Sequence, residues 1–184
     1  GMLKGNEFIA KTIVTTSLLT EIAVSFGVKS YDVLTGFKYI ADIIREKEGK
    51  EVFIVGGEES YGYLAGDFVR DKDAVSSCAM IAETAVWAKD QGIGILELLK
   101  KLYIEFGFYK EKLISVVRKG KSGAEEIQKM MSDFRSNPPT HMGGSKVVMI
   151  KDYQSSETKD VLNDTLSVID LPKSNVLQFF TEDG

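Results

Sequence analysis

Three short polar stretches hold the residues best suited to chemistry: Thr15-Thr16-Ser17, Leu34-Thr35-Gly36-Phe37-Lys38 and Gly56-Gly57-Glu58-Glu59-Ser60-Tyr61-Gly62. In the third, Glu58 and Ser60 form a polar hook flanked by glycines. An ionised carboxylate accepts from two adjacent sugar hydroxyls at once, and a serine hydroxyl donates or accepts beside it. Gly57 and its glycine neighbours let the backbone come close to a ligand. The competing reading is that Glu58 and Glu59 open a helix, where acids meet the dipole favourably, with Ser60 exposed.

A fourth stretch, Arg70-Asp71-Lys72-Asp73, offers a lysine to a phosphate or to an oxygen losing its proton, with neighbouring acids keeping it charged. The bland alternative is a solvated, charged loop ahead of a helix. Thr35-Gly36 reads either as a ligand-touching turn or as a plain strand-to-helix turn with Thr35 as N-cap. Lys38 reads as surface.

Composition narrows the chemistry. With 184 residues, 43% of them hydrophobic, the chain buries a real core in one or two domains. No apolar run approaches the roughly 18 residues of a membrane span, and no secretion pattern opens the chain. Gly1 before Met2 reads as a cleavage scar. The net charge of -4 comes from interspersed acids and bases, with no basic stripe to track nucleic acid. Cys78 and His141 are the only residues of their types, which excludes an internal disulfide and leaves little for a Cys/His metal site or nucleophilic pair. Carboxylates, hydroxyls and lysines are the available groups, and a reducing cytoplasm is the natural setting.

The elements that must position these groups follow from periodicity. Residues 8–15 read as a strand and 17–26 as a helix with Leu18, Leu19, Ile22 and Phe26 inward. A strand at 29–34, a helix at 37–48 with Ile40, Ile43 and Ile44 inward, and a strand at 51–55 repeat the pattern. Such alternation predicts right-handed crossovers and a mostly parallel sheet, whose ligands bind outside the carboxyl ends of the strands. The three polar stretches all follow strands and would converge there.

Downstream, a helix is predicted over 73–91, capped by Asp73 and burying Val75, Cys78, Ala79, Ala82 and Val86. Another spans 94–105, with Ile95, Leu98, Leu99 and Leu102, before Gly107. Then come a strand at 112–118, a helix at 122–135 with Ile127, Met130, Met131 and Phe134 inward, and strands at 145–150 and 175–180 around an irregular polar stretch, 152–167. The tail Thr181-Glu182-Asp183-Gly184 sits where a hairpin partner is expected, which points to truncation.

The strings LTGFK (34–38), GEESYG (57–62) and RDKDAV (70–75), in this order and in these loops, resemble the third domain of the α-D-phosphohexomutases, the phosphoglucomutase/phosphomannomutase family. GEESYGYLAGDFVRDKDAV is most similar to the phosphoglucomutase branch. The resemblance implies that Glu58 and Ser60 contact sugar hydroxyls, that Thr35 and Gly36 touch the sugar phosphate, and that Lys72 contacts substrate and assists proton transfer. A lysine precedes the threonine-glycine turn in the bacterial dual-specificity branch; Leu34 stands there in this chain, which favours glucose.

The expected architecture is therefore a three-layer α/β/α domain over 1–107 followed by a partial α+β domain over 108–184, truncated before its phosphate-binding loop. The implied activity of the intact enzyme is interconversion of hexose 1-phosphate and hexose 6-phosphate through a phosphoserine and a bisphosphate intermediate. Mg²⁺ and glucose 1,6-bisphosphate are its implied cofactors, and neither is expected to be held by residues of this chain. The phosphoserine loop and the metal-binding aspartates have no counterpart in the sequence, so the missing domains are the expected partners and the chain alone is expected to be inactive. The alternative is a stand-alone sugar-phosphate-binding module. A nucleotide-binding domain is disfavoured because no Gly-rich fingerprint follows a strand and opens a helix.

Overall fold

The computed structural model describes residues 3–183; the scar reading of Gly1-Met2 and the last residue of the tail lie outside them. The chain divides into two compact units, Gly1–Lys112 and Leu113–Gly184.

In the first unit, β1 (Glu7–Thr12), β2 (Lys29–Val33), β3 (Val52–Gly57) and β4 (Tyr63–Ala65) form one sheet in the order β2-β1-β3-β4. β1 runs parallel to both β2 and β3, and β4 is antiparallel to β3. The connections are α1 (Leu18–Ser25) and α2 (Phe37–Lys47), each within a residue or so of the periodicity. The register slips between Phe8 and Ile9, so Phe8 faces Phe53 but Ile9 faces Val55, and Ile54 is an extra residue in β3.

The core lies between α2 and the sheet: Phe37, Ile40 and Ile44 close on Phe8, Ala10, Val33, Phe53 and Leu64, with Ile43 partly buried beside them. Burying each large side chain contributes about 1.5–3 kcal/mol, which fixes α2 over β1. On the other face α1 packs on β2, while α3 (Ala74–Asp90) packs on β4 and α4 (Ile95–Phe106). The result is a three-layer α/β/α arrangement around a mostly parallel sheet.

Several expectations about inward faces fail here. On α1, Leu18 and Ala23 are buried whereas Leu19 and Phe26 are exposed. The stripe expected on α3 points outward: Val75 and Val86 are 81% and 60% exposed, Cys78 is exposed, and only Ala88 is buried. The cause is dimensional. A helix of 17 residues runs about 25 Å, but the strand beneath it has three residues, so little sheet is available to cover it. On α4, Leu98 and Leu102 are half-buried while Ile95 and Leu99 are exposed.

The second unit joins α5 (Gly120–Ser136) to an antiparallel sheet of β5 (His141–Met142), β6 (Ser145–Asp152), β7 (Glu157–Asp160), β8 (Thr165–Val168) and β9 (Leu177–Thr181). β6 pairs with β5, β7 and β9, and β8 pairs with β7. Arg135 Nε donates to both Asp152 carboxylate oxygens at 3.1 and 3.2 Å, and Phe134 meets the Phe179 ring at 6.3 Å, so α5 is tied to the sheet. Of its expected inward set, Ile127 and Met131 are half-buried, whereas Met130 and Phe134 are partly exposed.

Two corrections belong to this unit and its approach. Residues 112–118 form no strand; Leu113, Ile114 and Val117 are exposed, and among the described residues no strand lies alongside to complete a ladder. Conversely, the stretch 152–167 is ordered as β7 and β8. Its turns are made without glycine: the Asp160 carboxylate accepts from the Leu162 and Asn163 amides at 2.9 and 3.0 Å, and Ser156 and Asp164 take positive φ of 62° and 50°.

Candidate functional site

Because β1, β2 and β3 are parallel, the loops after Thr12, Val33 and Gly57 leave the same edge of the sheet. A cleft of about 390 Å³ opens there, where β1 and β3 lie side by side and their connections diverge. Its lining includes Thr15 and Thr16 from the first loop and Gly57, Glu58 and Glu59 from the third, with Tyr63 at one wall.

The GEESYG stretch is a tight turn into β4, and the helix alternative is overturned. The Glu58 amide donates to the Gly62 carbonyl at 2.8 Å, and Gly57 pairs with Tyr63 across the hairpin. Two glycines make this closure possible. A Cβ on Gly57 would lie 2.7 Å from the Tyr63 ring, and one on Gly62 would collide with the Glu58 carboxylate itself. The glycines therefore leave the Glu58 carboxylate room to lie against the Gly62 backbone, where a side chain would displace it. Ser60 and Tyr61 occupy the exposed tip, and Tyr61 takes a φ of 54°, unusual for a bulky residue. Leu64, fully buried one residue beyond Tyr63, anchors the hairpin in the core.

Ser60 and the remaining expected site residues, Thr35, Gly36 and Lys72, lie outside the cleft lining. Gly36, at φ 122°, is itself the N-cap of α2, so the capping role offered to Thr35 falls to its neighbour; Thr35 is exposed. Lys38 is exposed, with its ammonium over the Tyr39 ring. The Lys72 ammonium sits 5.7 Å from the centre of the Phe37 ring, which places it beside the residue that follows Gly36. It also pairs with Asp71 Oδ1 at 3.1 Å. The Lys72 amide, and then its ammonium, hold the Asp71 carboxyl below its ordinary range. Asp73 caps α3 as predicted, accepting from the Val75 and Ser76 amides at 3.0 and 3.3 Å. Its own amide donates to the Tyr63 carbonyl at 2.8 Å, so the lysine segment and the GEESYG turn hang from the same hairpin.

Two polar residues escaped the sequence reading. Lys11 is 2% exposed, and its ammonium reaches Asp32 Oδ1 at 2.8 Å and the Thr15 carbonyl at 3.3 Å. Thr12 is fully buried; its hydroxyl donates to Glu59 Oε2 at 3.1 Å and lies 2.8 Å from the Thr15 hydroxyl. These contacts bind the first and third loops together. The signal was present in the sequence: Lys11-Thr12 ends a run whose preceding positions are apolar, and polar side chains inside a central strand need partners.

Comparison with known proteins fits this geometry. The profile of phosphoglucomutase/phosphomannomutase, alpha/beta/alpha domain III, matches residues 1–106. A phosphoglucomutase of Staphylococcus epidermidis is 38% identical over 179 residues, covering 97% of this chain and 33% of its own length. That of Staphylococcus saprophyticus is 33% identical over 180 residues, with the same coverages. The chain thus spans about a third of the length of the curated relatives it matches. Among solved structures, the open form of parafusin, a phosphoglucomutase from Paramecium, shares the fold with a TM-score of 0.57 at 18% identity, covering 96% of this chain and 28% of that one. This chain belongs to the phosphoglucomutase/phosphomannomutase family, and its first 106 residues carry the family's alpha/beta/alpha domain III.

Proposed function

We propose that this chain is the sugar-recognition portion of an enzyme that interconverts hexose 1-phosphate and hexose 6-phosphate, with glucose as the hexose. The observation that carries the reading is the Glu58 carboxylate, lodged by the glycine-closed turn at the wall of the cleft on the carboxyl edge of the sheet. There it accepts from two neighbouring sugar hydroxyls while Ser60, from the turn's tip, adds a third contact. Thr35 and Gly36 hold the phosphate end, and Lys72, beside Phe37, neutralises it and assists proton transfer at the reacting oxygen. The role of this chain is orientation. It holds the ring so that either end of a hexose bisphosphate meets a phosphoryl donor supplied by the rest of the polypeptide. Leu34, rather than a lysine, ahead of Thr35 supports glucose.

In this family Mg²⁺ supports phosphoryl transfer, but the side chains here do not fit such a site. Among the described residues no three carboxylate, imidazole or thiol groups gather as ligands, so no step is assigned to a metal held by this chain. Among the same residues no helix is long and apolar enough to cross a membrane. The domain assignment that accompanies the reading is a third domain to about residue 107, followed by the start of a fourth.

The test is to titrate the 184-residue chain with glucose 1,6-bisphosphate while following backbone amides. Shifts concentrated in 57–73 and around 35–37, abolished by Glu58→Ala, are expected. Saturating ligand that moves none of these amides would overturn the assignment.

A further inference from the structure

Hydroxyl protons at the cleft can be assigned by elimination, because the groups that carry them are few and one is sealed from water. Thr12 is fully buried, so its single hydroxyl proton must be used within the protein. Two oxygens are within reach: Glu59 Oε2 at 3.1 Å and Thr15 Oγ1 at 2.8 Å. A carboxylate can only accept, so the proton of Thr12 goes to Glu59. The shorter contact must then be supplied by the proton of Thr15. With that proton spent, Thr15 Oγ1 has only lone pairs left to offer the cleft that it lines. Its backbone is equally committed: the amide donates to the Thr12 carbonyl at 3.0 Å, and the carbonyl accepts from the buried Lys11 ammonium at 3.3 Å. The backbone that carries this hydroxyl is thereby held at the cleft.

From this chain of bonds we infer that Thr15 and Glu59 form a hydrogen-bond-accepting wall that selects the hydroxyl-bearing side of the ligand and turns its phosphate away. The inference rests on the sugar-phosphate reading above and adds to it two specificity-determining residues and an orientation. A hexose hydroxyl brings the proton that both groups lack. A phosphate oxygen at the same place would meet a lone pair and a negative charge with no donor between them. Within the lining, Thr16 Oγ1 accepts from the Leu18 amide at 3.3 Å and keeps its own proton, so it is the complementary donor for a hydroxyl oxygen. The phosphate is left to the Lys72 side, where a cation is exposed.

The experiment uses the 184-residue chain and two separate probes, inorganic phosphate and glucose 1-phosphate, read by amide shifts and dissociation constants. Glucose 1-phosphate is expected to shift residues 12–16 and 58–59 as well as 35–37 and 72, whereas inorganic phosphate shifts only the latter group. Thr15→Val should weaken glucose 1-phosphate binding about tenfold and leave phosphate binding unchanged, while Thr15→Ser retains near wild-type affinity. Thr12→Val, which matches the buried residue in shape, returns the Thr15 proton to the cleft, so inorganic phosphate should now shift residues 13–16 as well. Inorganic phosphate shifting 12–16 in the wild-type chain overturns the inference, as does unchanged affinity in Thr15→Val; in both cases sugar-phosphate binding abolished by Glu58→Ala leaves the broader reading standing. Absence of any glucose 1-phosphate binding defeats both together.

Discussion

The ammonium of Lys72 rests over the face of the Phe37 ring, 5.7 Å from its centroid, while Asp71 Oδ1 holds it from the side at 3.1 Å. One ring and one carboxylate leave ammonium protons for a ligand, in a side chain that is 48% exposed. In the intact enzyme proposed above, Lys72→Ala is expected to lower kcat/KM roughly 10- to 150-fold, the equivalent of losing one charge-assisted hydrogen bond of about 1.5–3 kcal/mol. Melting temperature should be unchanged, because the lysine contributes no core packing. Wild-type kinetics would return Lys72 to an ordinary surface charge.

If Glu58 holds the sugar hydroxyls as proposed, Glu58→Ala in the intact protein should reduce kcat/KM by about 1–3 kcal/mol of transition-state binding. Glu58→Gln separates charge from shape and should recover part of the loss. Steady-state kinetics on glucose 1-phosphate would check both, and an unchanged kcat/KM in the alanine variant removes Glu58 from the site.

Tyr61→Gly should stabilise the chain by about 1 kcal/mol, because φ 54° is costly for a bulky residue and free for glycine. The tyrosine is 97% exposed, so little burial is lost to offset the gain. Urea denaturation at pH 7 reads the difference; a destabilised variant would mean that Tyr61 holds the turn by contacts other than burial.

The ends of β2 and β3 carry a pH-sensitive cluster. The Lys29 ammonium, 2.9 Å away, and the Tyr31 hydroxyl hold the Glu51 carboxyl below its ordinary value of 4.5. A carboxyl with a depressed folded value stabilises the protein above its unfolded value and loses that contribution as pH falls through the folded one. Lys29 is raised above its ordinary 10.5 by the same partner, so its contribution is fully present below that value and is lost as pH rises through the folded one. Glu51→Gln should therefore flatten the acid limb of stability below about pH 4.5 and weaken the alkaline one above about pH 10.5. Identical stability-versus-pH curves for variant and wild type would exclude the cluster as a contributor.

Which parts of this architecture could be read in advance follows from where burial is supplied. The run β1 to β3 was legible because both neighbours of β1 are close in sequence, and Ile40, Ile43 and Ile44 repeat on the one face that the sheet covers. The stripe on α3 has equally good helical spacing, but whether it is buried depends on how much sheet lies beneath, which periodicity does not carry. β7 and β8 were hidden for another reason: their turns use Asp152, Ser156, Asp160 and Asp164 in place of the usual glycines. At the site, the turn around Glu58 was marked by its glycines. The pairing of Thr12 with Glu59 joins residues 47 apart, and only folding shows that they meet.

The supernumerary Ile54 in β3 has a further consequence for how the chain tolerates change. Side chains alternate along a strand, so one additional residue reverses the parity of everything after it. With Ile54 present, Gly56 falls beside Ala10, where a Cβ would lie 2.6 Å from the Ala10 carbonyl oxygen. Were one further residue inserted between Val55 and Gly56, its side chain would be dealt that position and would have to enter it. A lesion that leaves every polar residue in place would then distort the edge that frames the cleft, because the wall of the site is set by counting residues as well as by choosing them.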